Sequence, residues 1–129
     1  MKGENKREIT ILAVDDTPAD LKLIERALVS GGYKVITAKD GEEAVKIVHV
    51  HKPDLILMNI MMPKMDGYTA CSEIKKDPKT KDIPIIMLTC LGQELNRELA
   101  ENIGAAGYIV KPINVNDLYN SVNEFLQSH

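Results

Sequence analysis

The sequence predicts an α/β protein, with five parallel strands in one doubly wound sheet and helices on both faces. Two observations carry that prediction. Short apolar runs rich in branched residues recur five times along 129 residues, and a stretch with helical spacing follows each. The central runs are also continuously apolar rather than alternating, as strands are when crossover helices cover both of their sides. Right-handed crossovers then place helices on both faces.

The first strand is "ITILAV" (9–14). Its helix has Thr17 as N-cap, Pro18 in the first turn, and Leu21, Ile24 and Leu28 along one face. "VITA" (35–38) is the second strand, and the helix after it starts at Asp40–Gly41 and buries Ala44, Ile47 and Val48. "DLILM" (54–58) is the third, with a helix following Asp66–Gly67 that turns Ala70 and Ile74 inward. "IPIIMLT" (83–89) precedes a fourth helix over roughly 93–103. "YIV" (108–110) precedes a last helix from about Asn114, where Leu118, Val122 and Phe125 recur at i, i+4 and i+7. No repeat, low-complexity tract or linker interrupts the chain, so one domain is expected over 1–129, with its core at about 9–127. The charge run "KKDPKTKD" (75–82) reads as a solvated loop.

Composition narrows the function classes. With 44% hydrophobic and 27% charged residues the chain is ordinary globular material, and a net charge of −3 does not point to nucleic acid or a membrane surface. No apolar stretch approaches the roughly 20 residues that cross a bilayer. The opening "MKGENKREI" has no signal-peptide core, so a cytoplasmic location is expected. Cys71 and Cys90 lack metal-ligand spacing and are expected to be buried small apolar residues. His49 and His51, two apart on a helix, point in different directions and read as surface residues. Met58, Met61, Met62 and Met65 read as soft packing beside a loop.

In open parallel sheets, ligands bind beyond the carboxyl ends of the strands. Those ends carry Asp15 and Asp16 after the first strand, Asn59 after the third, Thr89 after the fourth and Lys111 after the fifth. The second end, near Lys39–Asp40, adds little. Any one of these could simply cap a helix or end a loop. Together on one rim they have the chemistry of a phosphoryl-transfer site. Adjacent carboxylates suit Mg²⁺, a hard cation that takes oxygen ligands. A lysine and a hydroxyl can hold the oxygens of a transferring phosphoryl group. What is missing is the nucleophile.

"VDDTPAD", "IMMPKMDG", "LTC" and "GYIVKP", in this order and spacing, resemble the receiver domain of two-component response regulators over essentially the whole chain. The resemblance implies a flavodoxin-like (βα)5 fold with strand order 2-1-3-4-5. It implies that Asp15 and Asp16 are metal-binding acids, Asp16 the favoured direct ligand, and that the Met61 backbone carbonyl is a further ligand. Thr89 then matches the hydroxyl that binds the phosphoryl group, and Lys111 its cationic partner. Tyr108 matches the aromatic whose rotation couples site to surface, and Lys111–Pro112 the bond that is cis in the family. Asn59 falls on the phosphoacceptor aspartate. Mg²⁺ is the implied cofactor, with binding weakened by Asn59. The implied partners are a sensor histidine kinase or phosphotransfer protein and a downstream protein or output domain. A homodimer is admitted, and no direct nucleic-acid or membrane contact is implied.

An amide oxygen is a weak, uncharged nucleophile, so this chain is expected to be a receiver held in the unphosphorylated class by Asn59, and not to act as an enzyme. The amide is nearly isosteric with the acid. It is expected to accept a hydrogen bond from Lys111 and to offer a neutral oxygen to a cation. Both acids, Thr89, Tyr108 and Lys111 remain, which favours an engineered or recently diverged receiver over a natural pseudo-receiver that acts by binding alone. Because the chain closes on "EFLQSH" just after the last helix, a stand-alone signalling protein or an excised domain is expected. A flavin-binding flavodoxin relative would need a glycine- and hydroxyl-rich phosphate loop where "DDTPAD" instead presents carboxylates. A haloacid-dehalogenase-type phosphatase would space its two acids by one residue, whereas Asp15 and Asp16 are adjacent.

Overall fold

The structure is a computed structural model that describes residues 8–90 and 97–128. Strands and helices alternate: β1 (Thr10–Val14), α1 (Pro18–Ser30), β2 (Lys34–Ala38), α2 (Gly41–His51), β3 (Leu55–Asn59), α3 (Gly67–Lys76), β4 (Ile85–Cys90), α4 (Arg97–Asn102), β5 (Gly107–Lys111) and α5 (Val115–Ser128). The five strands are parallel in the order β2-β1-β3-β4-β5. This is the flavodoxin-like arrangement that the sequence led us to expect.

Alternating side chains divide the core into two layers. Ile11, Ala13, Leu55, Leu57, Ile86 and Leu88 pack against Ile24, Ala27 and Leu28 of α1 and Leu118 and Val122 of α5. The intervening residues Leu12, Val14, Ile56, Met58, Ile85 and Met87 pack against Ala44 and Val48 of α2 and Ala70, Cys71 and Ile74 of α3. Each large apolar side chain so buried stabilises the fold by about 1.5–3 kcal/mol. Both faces of the central strands are covered, so polar side chains can leave the sheet only at its ends. At the edge, β5 is covered less completely, and Tyr108 and Val110 are 42% and 43% exposed.

Several local expectations need correction. Thr17 takes the N-cap position in extended conformation, but its side chain makes no cap bond, and Asp15 accepts the Thr17 N–H instead at 2.9 Å. Pro84 has no N–H for the ladder, so β4 starts at Ile85, although the Pro84 carbonyl still accepts from Ile56 at 3.0 Å. The expected first residues of α4 lie outside the described residues. "KKDPKTKD" is not simply a solvated loop. Lys75 and Lys76 close α3, and the buried Thr80 hydroxyl donates to the Ile74 carbonyl at 2.7 Å. The Lys75 ammonium donates to the carbonyls of Lys81 and Ile83 at 2.9 and 2.7 Å. Charge counting missed that a helix end leaves carbonyls to be satisfied, and that a lysine stem can lie along apolar surface. Cys71 is buried, and burial pushes its thiol up to about 11, whereas Cys90 ends β4 and is exposed. Of the four methionines, Met61 is 62% exposed rather than packed.

The β3–α3 connection is tightly drawn. Asp66 caps α3 by accepting the Thr69 N–H at 2.8 Å, and the Gly67 N–H donates to the Ile60 carbonyl at 2.8 Å. A Cβ on Gly67 would collide with the Asn59 carbonyl oxygen and come within 2.9 Å of the Ile60 Cα. Backbone cannot swing aside as a flexible side chain would. Gly67→Ala should therefore lower stability by about 1–3 kcal/mol in urea melts, and an unchanged midpoint would show that the loop can yield.

His49 joins α2 to the end of α3. Its Nδ1 lies 2.8 Å from the Val45 carbonyl oxygen and its Nε2 lies 2.7 Å from the Asp77 carboxylate. Both partners only accept, so the imidazolium form satisfies both. The Val45 bond first, and then Asp77, raise the His49 pKa, while bonds from the Lys79 N–H and His49 lower that of Asp77. A raised histidine contributes stability fully below its unfolded value near 6.5, and loses it as pH rises through the folded value. The lowered aspartate contributes above its unfolded value near 3.8 and loses that as pH falls. The stability gap between the unmutated chain and His49→Gln should thus be wider at about pH 5.5 than at about pH 8.5. A gap independent of pH would refute the ion pair.

Candidate functional site

Strand register sets the height of each rim residue. Val14 pairs with Met58, so Asp15 and Asn59 leave adjacent strands at the same level. Asn59 pairs with Leu88, which puts Thr89 one residue higher, and Cys90 pairs with Lys111. The chain reverses its winding direction between β1 and β3, and the crevice there is where such sheets bind ligands. The Lys111–Pro112 peptide bond is cis.

Lys111 starts three strands away from β1, yet its ammonium reaches Asp15 at 2.5 Å and Asp20, in the first turn of α1, at 3.0 Å. Both Lys111 and Asp15 are buried, at 7% and 1% exposure. Burial alone would lower the lysine pKa; the hydrogen bonds and charges of Asp15 and Asp20 outweigh it and raise the value. Asp20 was not anticipated from the sequence. Its only signal was position, an acid in the first turn of a helix that starts just above the crevice.

The Asn59 side chain does something else than expected. Among the described residues, Lys111 donates to Asp15 and Asp20 rather than to the Asn59 amide oxygen. The Asn59 nitrogen faces the two neighbouring oxygens, donating to the Asp16 carboxylate at 3.1 Å and to the Met61 carbonyl at 2.9 Å. Those oxygens can only accept, so hydrogen-bond chemistry alone places the nitrogen towards them. The donor end of the amide, rather than the acceptor end expected from the sequence, is the one the site requires. Thr89 is buried at 4% exposure, while Tyr108 on the neighbouring strand stands outward. Asp40, at the end of β2, caps α2 by accepting the Glu43 N–H at 2.8 Å.

Asp15, Asp16 and the Met61 carbonyl supply hard oxygens of the kind that suit a divalent cation, so the donor chemistry fits Mg²⁺. Among the described residues no three of His, Cys, Asp and Glu are grouped closely enough to hold a metal ion by themselves. Any ion here would depend on the backbone carbonyl and on water.

A family model for the response regulator receiver domain matches residues 11–123. The chain belongs to that family. As a receiver, it is 46% identical over 108 residues to a probable transcriptional regulator, ycf27, of Guillardia theta; the match covers 84% of this chain and 41% of that protein. The chain spans about half the length of the curated relatives it matches. A putative response regulator from Chloroflexus aurantiacus has the same fold, with a TM-score of 0.87, 33% identity, and coverage of 94% of this chain and 99% of that one. The receiver domain of a sensor histidine kinase from Pseudomonas aeruginosa, whose structure has magnesium coordinated in the active-site cleft, aligns with a TM-score of 0.84 and 32% identity. That alignment covers 94% of this receiver and 99% of that chain.

Breaking a buried ion pair leaves the surviving charge uncompensated. Lys111→Met should therefore destabilise this receiver by about 3–5 kcal/mol. Asp20, a third exposed, is held in a more screened setting, and Asp20→Asn should cost about 1 kcal/mol or less. Adding Asp15→Asn to Lys111→Met should recover part of the larger loss. Chemical denaturation of the four proteins checks this, and equal losses for Lys111→Met and Asp20→Asn would contradict it.

Proposed function

We propose that this chain is a two-component receiver held in the unphosphorylated class by Asn59, which occupies the phosphoacceptor position. The observation that carries the reading is the Asn59 amide at the end of β3, with Asp15, Asp16, Thr89 and Lys111 on the same rim. With aspartate at position 59, a carboxylate oxygen would attack the phosphorus of a donor, forming a P–O bond as the bond to the leaving group breaks. The amide carries no charge, and its nitrogen lone pair is delocalised into the carbonyl. It has no comparable nucleophile.

In this reading Asp15, Asp16 and the Met61 carbonyl would hold Mg²⁺, with Asn59 weakening the binding by removing one charge. When bound, the cation supplies positive charge against the phosphoryl oxygens. With aspartate at position 59, the Thr89 hydroxyl and Lys111 ammonium would bind the remaining phosphoryl oxygens. Tyr108, outward here, reports the state of the site on the β5 surface. A sensor histidine kinase or phosphotransfer protein is the donor partner, and a downstream protein or output domain reads the surface, with a homodimer as one route. The relatives named as transcriptional regulators are about twice as long, which supports an output through a further domain rather than through nucleic-acid contact by this one. No helix among the described residues is long and apolar enough to cross a membrane, and a cytoplasmic setting suits the kinase partner.

Incubated with acetyl phosphate and Mg²⁺, the chain should gain no phosphoryl mass, whereas Asn59→Asp should. Intact-mass spectrometry decides: a phosphorylated unmutated chain, or an inert but folded Asn59→Asp protein, would overturn the reading.

A further inference from the structure

The Asn59 side chain does more than lack a charge. Its nitrogen donates one hydrogen to the Asp16 carboxylate at 3.1 Å and the other to the Met61 carbonyl at 2.9 Å. An amide nitrogen has two hydrogens, and the site uses both. Asp16 leaves β1 and Met61 follows β3, so the amide ties together the two loops on either side of the crevice. A carboxylate at position 59 would face the same two oxygens with lone pairs only, and three mutually repelling oxygens would need a cation between them.

We infer that the Asn59 amide nitrogen is a built-in, uncharged substitute for the divalent cation, joining Asp16 to Met61 and blocking the ion's place. The inference rests on residue 59 lying beside the cation site, and it goes further than charge loss. Charge loss alone makes Asn59 a poorer ligand that still contributes a carbonyl oxygen. A substitute must be displaced before an ion can enter, because the ion needs the oxygens that the amide already holds. Both N–H bonds must break and the side chain must turn, and one of those bonds is to a charged group and hence the stronger kind.

The two ideas order one series of variants oppositely. If the amide blocks the ion, Asn59→Ala, which has neither charge nor donor, should bind Mg²⁺ about tenfold more tightly than the unmutated chain. Asn59→Asp should bind most tightly of the three. If only ligand quality matters, Asn59→Ala should bind no better than the unmutated chain, and that result in calorimetric titration with MgCl₂ overturns the inference. Phosphoryl transfer plays no part in this measurement, so it is independent of whether Asn59→Asp accepts a phosphoryl group.

A measurement on the unmutated chain guards against an Asn59→Ala protein that does not fold. In metal-free ¹⁵N–¹H spectra the Asn59 side-chain NH₂ pair should be shifted from free-amide positions and slow to exchange with solvent. Saturating MgCl₂ should move it towards free-amide values. An Asn59 NH₂ pair already at free-amide positions without metal would overturn the inference.

Discussion

The rim of this receiver depends on the disposition of one ammonium group. Asp15, Asp16 and Asp20 stand near one another at the end of β1 and the start of α1, and Lys111 is the cation that reaches two of them. Buried carboxylates without a partner would be costly or would take up protons. The lysine comes from the last strand and the acids from the first, so the ion pair also spans the sheet from β5 to β1. Its cost in lost hydration is high. The site tolerates it because two acids and the packed ends of the strands define the ammonium's position.

With Lys111 given to Asp15 and Asp20, Asp16 is left to find another partner. It finds the Asn59 amide. Two neighbouring acids thus obtain their compensation by different means, one from a full charge and the other from a dipole. Asp15 is buried and is also tied to the Thr17 N–H, whereas Asp16 is exposed and has water to solvate its remaining lone pairs. The stronger partner goes to the more deeply buried acid, which is the assignment that costs least in desolvation.

The parts legible in the sequence are those governed by periodicity and by rim position. Continuous apolar runs located all five strands, and polar residues at their carboxyl ends located Asp15, Asp16, Asn59, Thr89 and Lys111. Asp20 was hidden because its role needs the length of the Lys111 side chain, which carries the ammonium from the end of β5 to the first turn of α1. The orientation of Asn59 was hidden for a different reason. Sequence names the side chain but not which of its two ends meets acceptors. Lys75 and Thr80 escaped because their partners are backbone carbonyls, which carry no sequence signal. Cys90 was misplaced because burial along β4 stops at Thr89, the residue before it.

Position 59 shows how fold and chemistry can separate at one residue. The backbone there is fixed by strand pairing with β4 and by the close approach of Gly67 to the Asn59 carbonyl, neither of which involves the side chain. Asparagine and aspartate have nearly the same shape, so packing around the side chain does not distinguish them. They differ in whether the outer atom facing Asp16 and Met61 carries hydrogens. In a site made of oxygens that difference reverses the local interaction from repulsion needing a cation to attraction needing none. The fold cannot register the exchange, while the crevice can register little else, and the chain keeps a receiver's architecture with the local chemistry at position 59 inverted.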